Sequence, residues 1–596
     1  ELAPLNPREQ QAIAKQFFGK DTLKAQLMQQ LLRESYVLRH ACHKPLLLTF
    51  ACLLQSKNQL QSDLTYAKLY EEILRHLIQG EWRDAAEPLA TSEPGEESAL
   101  RMLETIAWDL FYQSPERNLF TLDEWSRAWS KLLTVRCPEC RHEFSLEEGL
   151  VAGNNASCAL TSPAELLNKL ERLGLIVSAG YNERNDSQWS FAHRSILEFL
   201  AARYLSRQPN WLDEISQHFW FQPEWVEVLT FLAGLVDNAD PLVERLEQEA
   251  DDIFGSMLYL QARVVGFGQV SETVAQRVAE RAVKWYLQSR VPSELTMRVI
   301  RPLGRYAVKP LCDTLKREYR TRFRVPLLQE MLEDKWRWEQ QRLREAACNA
   351  LGEIGDPEAL DTLVEVLTRA EQSRDIALIV LLQAIAGIGT SQAIEVILST
   401  SSRDRLFYVT DVWRKLSNPE GIEKLIEYLS SPDPEVRREA CYALGIVGDP
   451  NPRVIEALLS ALKHDCSETV SSQACRALGM LRHTEAISAI IQALDNANDR
   501  DLRRAIYAVL GDLGGSDAVD TLIRRGLLEE DDWVRSAVWE ALGKIAQHPA
   551  TETGHKDTIV QALLQALQSA QSSGHETSSW QEKAISVLGQ IRDPRA

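Results

Sequence analysis

No run of apolar residues in this sequence approaches the length of about 18 that a membrane-spanning helix needs, and no signal peptide opens it. Nothing is therefore expected to span a membrane or be exported, and a reducing cytoplasm is the expected compartment. Cysteine is scarce. Ten in 596 residues make no disulfide framework, and Cys42, Cys52, Cys312, Cys348, Cys441 and Cys475 lie within helical apolar patterns. Positive charge is in deficit: the net value of −19 argues against general affinity for nucleic acid or anionic lipid, although local basic patches can override it. Also missing is a phosphate-cradling loop. No GxxxxGK[ST] occurs, since Gly19-Lys20 and Gly543-Lys544 lack both the earlier glycine and the following Ser or Thr. The chain by itself is expected neither to bind ATP tightly nor to hydrolyse it, and is expected to be no enzyme.

What remains is an ordinary folded composition, 45% apolar and 25% charged. The length suits several domains or one long repeat array. Residues 1–84 read as a helical domain. Asn6, Pro7 and Glu9 start a first helix that Gly19 closes, and Asp21 starts a second with a Leu23, Leu27, Leu31 stripe. Pro45 enters the first turn of a third segment at Lys44-Pro45-Leu46-Leu47-Leu48. A fourth helix is expected from Thr65 to Trp82, with Leu69, Ile73 and Leu77 inward. The acidic stretch 85–98, containing Pro, Gly and Ser, reads as a linker.

Residues 99–205 form the next unit. Thr121 with Glu124, and Ser162 with Pro163 and Glu165, are capping boxes opening amphipathic helices. Gly174 ends the second helix; Leu175–Ser178 and Gln188–Phe191 are the strands of a hairpin around a turn at Ala179–Asp186. Helices followed by a hairpin wing are the order of a winged helix. The helix in the position of a DNA reader carries only Lys169 and Arg172 against Glu165 and Glu171, too little positive charge for a major groove. An insertion carries Cys137-Pro138-Glu139-Cys140, then His142 and Cys158. A CxxC pair bites one zinc ion, and His142 with Cys158 completes a tetrahedral set; without a second CxxC, the other reading is thiols in a loop.

The unit ends in Trp189–Leu205, a short strand running into a helix with Ile196, Phe199, Leu200 and Tyr204 on one face. His193 stands where that helix begins. In the first turn it would be neutral and able to donate to a phosphate beside backbone N–H groups; it would equally suit a buried strand-to-helix corner.

Residues 206–332 read as divergent helical pairs, in which Lys316–Arg324 mixes basic and aromatic residues at what is best taken as a solvated helix end. Residues 333–596 repeat. Ala350-Leu351-Gly352 recurs at 443–445, 477–479 and 541–543, and Gly445, Gly479, Gly511 and Gly543 are spaced by 34, 32 and 32 residues. Gly355-Asp356-Pro357 and Gly448-Asp449-Pro450 end helices, and Val436-Arg437 and Val534-Arg535 begin them. This pattern resembles HEAT-like repeats, so the expected fold class is mainly α: a helical domain and a winged helix followed by an α-solenoid of HEAT-like repeats.

Phe191-x-His193-Arg194-Ser195-x-x-Glu198-Phe199-Leu200-Ala201-Ala202, Lys44-Pro45-Leu46-Leu47-Leu48, Leu69-Tyr70 and Trp225-x-Glu227-Val228 together resemble NACHT-type STAND NTPases. Leu197 stands where that family usually has Gln. The resemblance implies that these are the helical and winged-helix domains C-terminal to a nucleotide-binding core, expected upstream of Glu1. It implies that Pro45 packs near adenine and that His193 contacts the β-phosphate of ADP at rest. ADP or ATP would bind only together with that upstream domain. A protein ligand on the solenoid would then drive exchange, and the protein would oligomerise. Defence against phage or another stress is among the roles so implied, although no residue specifies it. Nucleic acid is not an expected partner. Two other classes stay open: a protein-interaction scaffold and a phycobilin lyase-like enzyme, which would be all repeats with no winged helix.

Overall fold

The computed structural model describes residues 5, 7–19, 21–60, 64–81, 89, 93–131, 134–136, 143–145, 163–220, 222–289, 294–316, 326–373, 378–399, 419–448, 451–548, 553–572 and 579–591. It divides into two units, Glu1–Asp313 and Thr314–Ala596.

The first unit opens with α1 (Pro7–Phe18), α2 (Thr22–Glu34), α3 (Tyr36–Cys42), α4 (Pro45–Ser56) and α5 (Tyr66–Ile78). Local rules set their ends. Gly19 takes φ +55° and donates to the Lys15 carbonyl, closing α1, and Asp21 caps α2 by accepting the Lys24 N–H at 3.1 Å. Pro45 is the first residue of α4, where its missing N–H costs nothing. The α2 stripe is corrected: Leu23 and Leu27 are exposed, and α2 instead buries Ala25, Met28 and Leu32. Both faces are apolar at helical spacing, and neighbouring helices cover only one. Helix α5 stops at Ile78 rather than Trp82, and Gly80 at φ +71° turns the chain.

Helix α6 (Glu93–Gln113) begins inside the stretch expected as a linker, with Pro94 in its first turn. Then come β1 (Leu119–Thr121), α7 (Leu122–Ser130), a small hairpin of β2 (Thr134–Arg136) and β3 (Glu143–Ser145), α8 (Pro163–Leu173), β4 (Ile176–Tyr181), β5 (Ser187–Phe191) and α9 (Arg194–Ser206). The Thr121 capping box forms in both directions, with Thr121 N–H donating to Glu124 at 2.8 Å and Glu124 N–H to Thr121 at 3.3 Å. The sheet order is β1-β5-β4, all antiparallel, with Ile176 opposite Phe191 and Leu119 opposite Ser190. The hairpin strands run further than expected, because Asn182 closes the tip by accepting the Arg184 and Asp186 N–H groups at 2.9 and 2.8 Å.

Helix α9 is the hub of this unit. It buries Ile196, Leu197, Phe199, Leu200, Ala201 and Ala202, and its Arg203 reaches Glu71 of α5 and Glu97 and Glu104 of α6 at 2.8, 2.8 and 2.7 Å. The unit continues through α10 (Trp211–Ser216), α11 (Val226–Leu235), α12 (Asp240–Gln248), α13 (Ser256–Phe267), α14 (Glu272–Gln288) and α15 (Glu294–Ile300) to α16 (Arg305–Lys316), in which the division falls.

The second unit holds α17 (Pro326–Ile354), α18 (Leu360–Ser373), α19 (Leu378–Ile388), α20 (Ser391–Ser399), α21 (Pro419–Tyr428), α22 (Pro434–Val447), α23 (Pro452–His464), α24 (Glu468–Met480), α25 (Ile487–Leu494), α26 (Arg500–Leu513), α27 (Ser516–Arg524), α28 (Asp532–Gln547), α29 (Thr553–Ser572) and α30 (Ser579–Ile591). Helix α17 runs unbroken across 332/333. One layer stacks α22 on α24, α24 on α26, α26 on α28 and α28 on α30. Small residues let these axes approach. A Cβ at Gly445 would meet the Ala477 Cα at 2.9 Å, and one at Gly511 the Ala541 Cβ at 2.5 Å. Among the described residues no helix is long and apolar enough to cross a membrane.

Candidate functional site

His193 is the N-cap of α9 rather than a first-turn residue, with extended backbone at φ −144° and ψ 140°. Its Nδ1 accepts the Ser195 N–H at 3.1 Å and lies 2.6 Å from the Ser195 hydroxyl. That hydroxyl in turn accepts from the Tyr70 O–H at 2.7 Å, giving a chain from Tyr70 through Ser195 to His193. Two donors on Nδ1 put the proton of the neutral ring on Nε2. The geometry thus alters the expected anion site: the Ser195 N–H at the helix start is taken by the ring itself. Arg194 is tied down as well, donating to the Pro115 and Glu116 carbonyls at 2.5 and 2.9 Å and to Glu198 at 2.7 Å.

Behind this cap lies buried charge. Glu227 of α11 accepts from Arg263 of α13 at 3.0 Å, and Arg263 also donates to Thr230 at 2.7 Å. Burial alone would push the Glu227 carboxyl up, but Arg263, Lys44 and His40 more than reverse this and hold it at about 2. Burial, with Arg263, drives His40 down to about 3. Glu198 goes the other way. Burial and the nearby Glu227 raise it to about 7 despite Arg194. Rings wall the site, with Tyr66 stacked on Phe231 at 4.7 Å and Tyr70 on Phe199 at 5.5 Å.

The structure therefore gathers segments that the sequence keeps far apart. Lys44, beside Pro45 at the start of α4, acts electrostatically on both Glu227 and Glu198. Pro45 is half-buried and its carbonyl accepts from Thr49 at 3.1 Å. Sequence reasoning quoted Tyr70, Ser195 and Glu227 only as parts of motifs and missed Arg263 altogether. No local pattern pairs residues 36 positions apart, although an Arg within the apolar run of α13 is a signal.

Cys137, Cys140, His142 and Cys158 lie outside the described residues, as does most of the basic stretch after Lys316; β2 and β3 pair antiparallel on either side of residues 137–142. The six cysteines placed in helical patterns are all buried, and burial pushes the Cys52, Cys441 and Cys475 thiols up to about 12.

In the second unit the repeat signature acquires a physical meaning. Arg437 forks onto Asp465 at 2.6 and 2.8 Å and donates to the Ser431 carbonyl at 2.8 Å, while Arg535 donates to the Glu529 carbonyl at 2.7 Å. The arginine after the buried Val thus ties down the loop between repeats. Arg503, which follows Leu502, does the same to Asn498 at 2.9 Å and to Glu529 at 3.2 Å. Asp433, Asp499 and Asp531 cap the same helices. On the open side of the layer, i, i+4 stripes of α24, α26 and α28 line a groove of about 640 Å³ and an adjoining hollow of about 140 Å³.

A family model described as HEAT repeats matches residues 303–383, 392–479, 455–543 and 487–573. The chain carries HEAT repeats. A HEAT repeat-containing taxis protein of Halobacterium salinarum is 33% identical over 157 residues, which cover 23% of this chain and 38% of that protein. The chain thus spans well under half the length of that curated relative. Among solved structures, a homology model of the full-length AP-3 complex in an intermediate open conformation is 13% identical with a TM-score of 0.34, covering 98% of this chain and 93% of that one. The complex of CpcE and CpcF of phycocyanin lyase from Nostoc sp. PCC7120 is 18% identical with a TM-score of 0.18, covering 53% and 94%. The HEAT match begins at residue 303, ahead of the boundary expected at 333.

Proposed function

We propose that this chain is a protein-interaction scaffold whose HEAT array takes a protein partner on the face of its glycine-bearing helices. One observation carries the reading. Successive helices are held close by glycine and alanine, and they turn matched side-chain stripes onto an open groove and its adjoining hollow. A photo-reactive side chain placed at Ser536 on α28 should capture a partner in the host cell, whereas the same group at the exposed Asp520 on α27 should not. Equal capture at both, or none at either, would overturn the reading.

A finer reading is favoured by the convergence around α9. The chain acts as the regulatory and sensing portion of a NACHT-type STAND NTPase, holding ADP when joined to a nucleotide-binding core. Support comes from the segments that carry the resemblance meeting in one neighbourhood: Lys44 acts on Glu198 and Glu227, and Tyr70 donates to Ser195. The helix, strand, two helices and hairpin, with sheet order β1-β5-β4, support a winged helix. The neutral His193 tautomer offers Nε2–H as the donor to the β-phosphate, and Pro45 borders adenine. A partner on the HEAT array then favours exchange, release of the winged helix and oligomerisation. In protein carrying such a core, His193→Ala should speed ADP loss and raise basal oligomerisation; unchanged ADP retention sinks this reading and leaves the scaffold intact.

A further inference from the structure

The groove across α24, α26 and α28 is lined by more basic than acidic side chains, on a chain of net charge −19. Arg476 and Arg482 stand at one wall and Arg504 at the other, and among the described residues no carboxylate pairs with any of them. Asp512, which lines the same groove, is engaged by Lys544 at 2.8 Å. Arg504 lies over the ring of Trp533 at 4.3 Å, with Arg500 at 5.5 Å on the same indole, and Trp533 and Met480 are 43% and 45% exposed.

Arg482 adds a second and independent observation. The third residue after the repeat glycine takes the left-handed conformation in four repeats, and in three of them it is glycine: Gly355 at φ +71°, Gly448 at +73° and Gly514 at +69°. The fourth is Arg482 at φ +52°. A side chain there carries the Cβ strain that glycine avoids. The repeat pattern offers the unstrained residue at this position, and the chain instead keeps a cation there, on the rim of the groove. Strain retained at one repeat out of four fits a binding role better than a folding one.

We propose that this groove binds an acidic peptide segment of a partner protein, with Arg476, Arg482 and Arg504 meeting its carboxylates and Trp533 and Met480 taking an apolar side chain. Three cations within one groove offer forked, charge-assisted hydrogen bonds to carboxylates. A polynucleotide fits less well, because Asp512 and Glu540 line the same surface and would face a continuous run of phosphates. The inference rests on the scaffold reading and names its partner class.

The test uses the whole chain and fluorescence anisotropy with three labelled probes: an Asp/Glu-rich peptide with one Leu, its Lys-for-acid counterpart, and a single-stranded oligonucleotide of equal length. The acidic peptide alone should bind, and more weakly as salt rises. Arg476→Glu and Arg504→Glu should abolish binding while circular dichroism stays unchanged. Arg482→Gly is the decisive variant: its melting temperature should rise while its affinity falls roughly tenfold, a combination that a merely structural arginine would not produce. Binding of both peptides alike, tighter binding of the oligonucleotide, or arginine variants that bind as the parent does would each overturn the proposal. Capture at Ser536 that persists in spite of such a result would leave the scaffold standing; loss of both would remove both.

Discussion

The two units solve the problem of a unique fold by opposite means. The first sets a half-buried carboxylate, Glu227, on a buried guanidinium, Arg263, beside a wall of aromatic rings, so its specificity lies in one arrangement of unlike parts. The second stacks like parts. Its core is Ala, Leu, Val and Gly in register, and its Arg437 and Asp465 pair works on the loops between helices. A buried pair is over-determined and fails sharply when one partner is lost. A stacked array shares its stability among neighbouring interfaces, and each defect stays local.

The sharpest way to break this contrast is Glu227→Ala. Leaving the Arg263 charge buried and alone should cost about 3–5 kcal/mol, read as an early transition in urea unfolding. Replacing both residues by apolar ones of similar volume should cost much less; similar losses for the single and double variants would refute the pairing account.

Next in size is a pH effect confined to the first unit. Glu198 is raised from 4.5 to about 7, so the stability it lends is complete below 4.5 and is lost as pH climbs through about 7. The shift corresponds to a loss on the order of 3 kcal/mol over that window, and Glu198→Gln should flatten it. Glu227 has the opposite sign. Held at about 2, it contributes above its ordinary value of 4.5 and ceases to as pH falls toward 2. Denaturant midpoints of the parent and of Glu198→Gln, taken from pH 2 to 8, check both signs.

In the second unit, Gly511→Val should cost about 1–3 kcal/mol through overpacking against Ala541. Gly589, which has nothing within 4 Å of its position, offers the control: Gly589→Ala should be neutral or stabilise by up to about 1 kcal/mol. Equal losses at both glycines would mean that close approach is not what holds the array. The smallest effect expected is at a cap. Asp531→Ala removes the acceptor of the Trp533 and Val534 N–H groups and should cost about 1 kcal/mol, visible as a small shift in melting temperature.

Much of the fold was legible because its causes are local. Asp21, Gly19, Thr121 with Glu124, and the glycines before Asp356 and Asp449 announce helix ends through chemistry acting within a few residues. The repeats were legible because a fixed period is itself information. The Leu23 and Leu27 stripe misled for the same reason that it was visible: periodicity reports an apolar face, and only a neighbour decides whether that face is covered. The linker expected at 85–98 missed the start of α6 because a first-turn proline looks the same in a loop and in a helix.

The candidate sites divide along the same line. Pro45 and His193 were marked by their segments, and the structure puts both segments beside one buried polar cluster. That His193 is a cap which consumes the Ser195 N–H depends on the backbone angle at the turn from β5, which the residues alone do not report. The sequence by itself determined where helices start and stop, that the chain repeats from Gly352 onward, and that no phosphate loop is present. Only tertiary structure decided which of two apolar faces is buried, that Glu227 finds Arg263, and that Arg476, Arg482 and Arg504 share one groove. The physical reason is range. Caps and periods act through covalent neighbours, whereas burial, pairing of charges and the lining of a groove depend on groups that only the folded chain brings together.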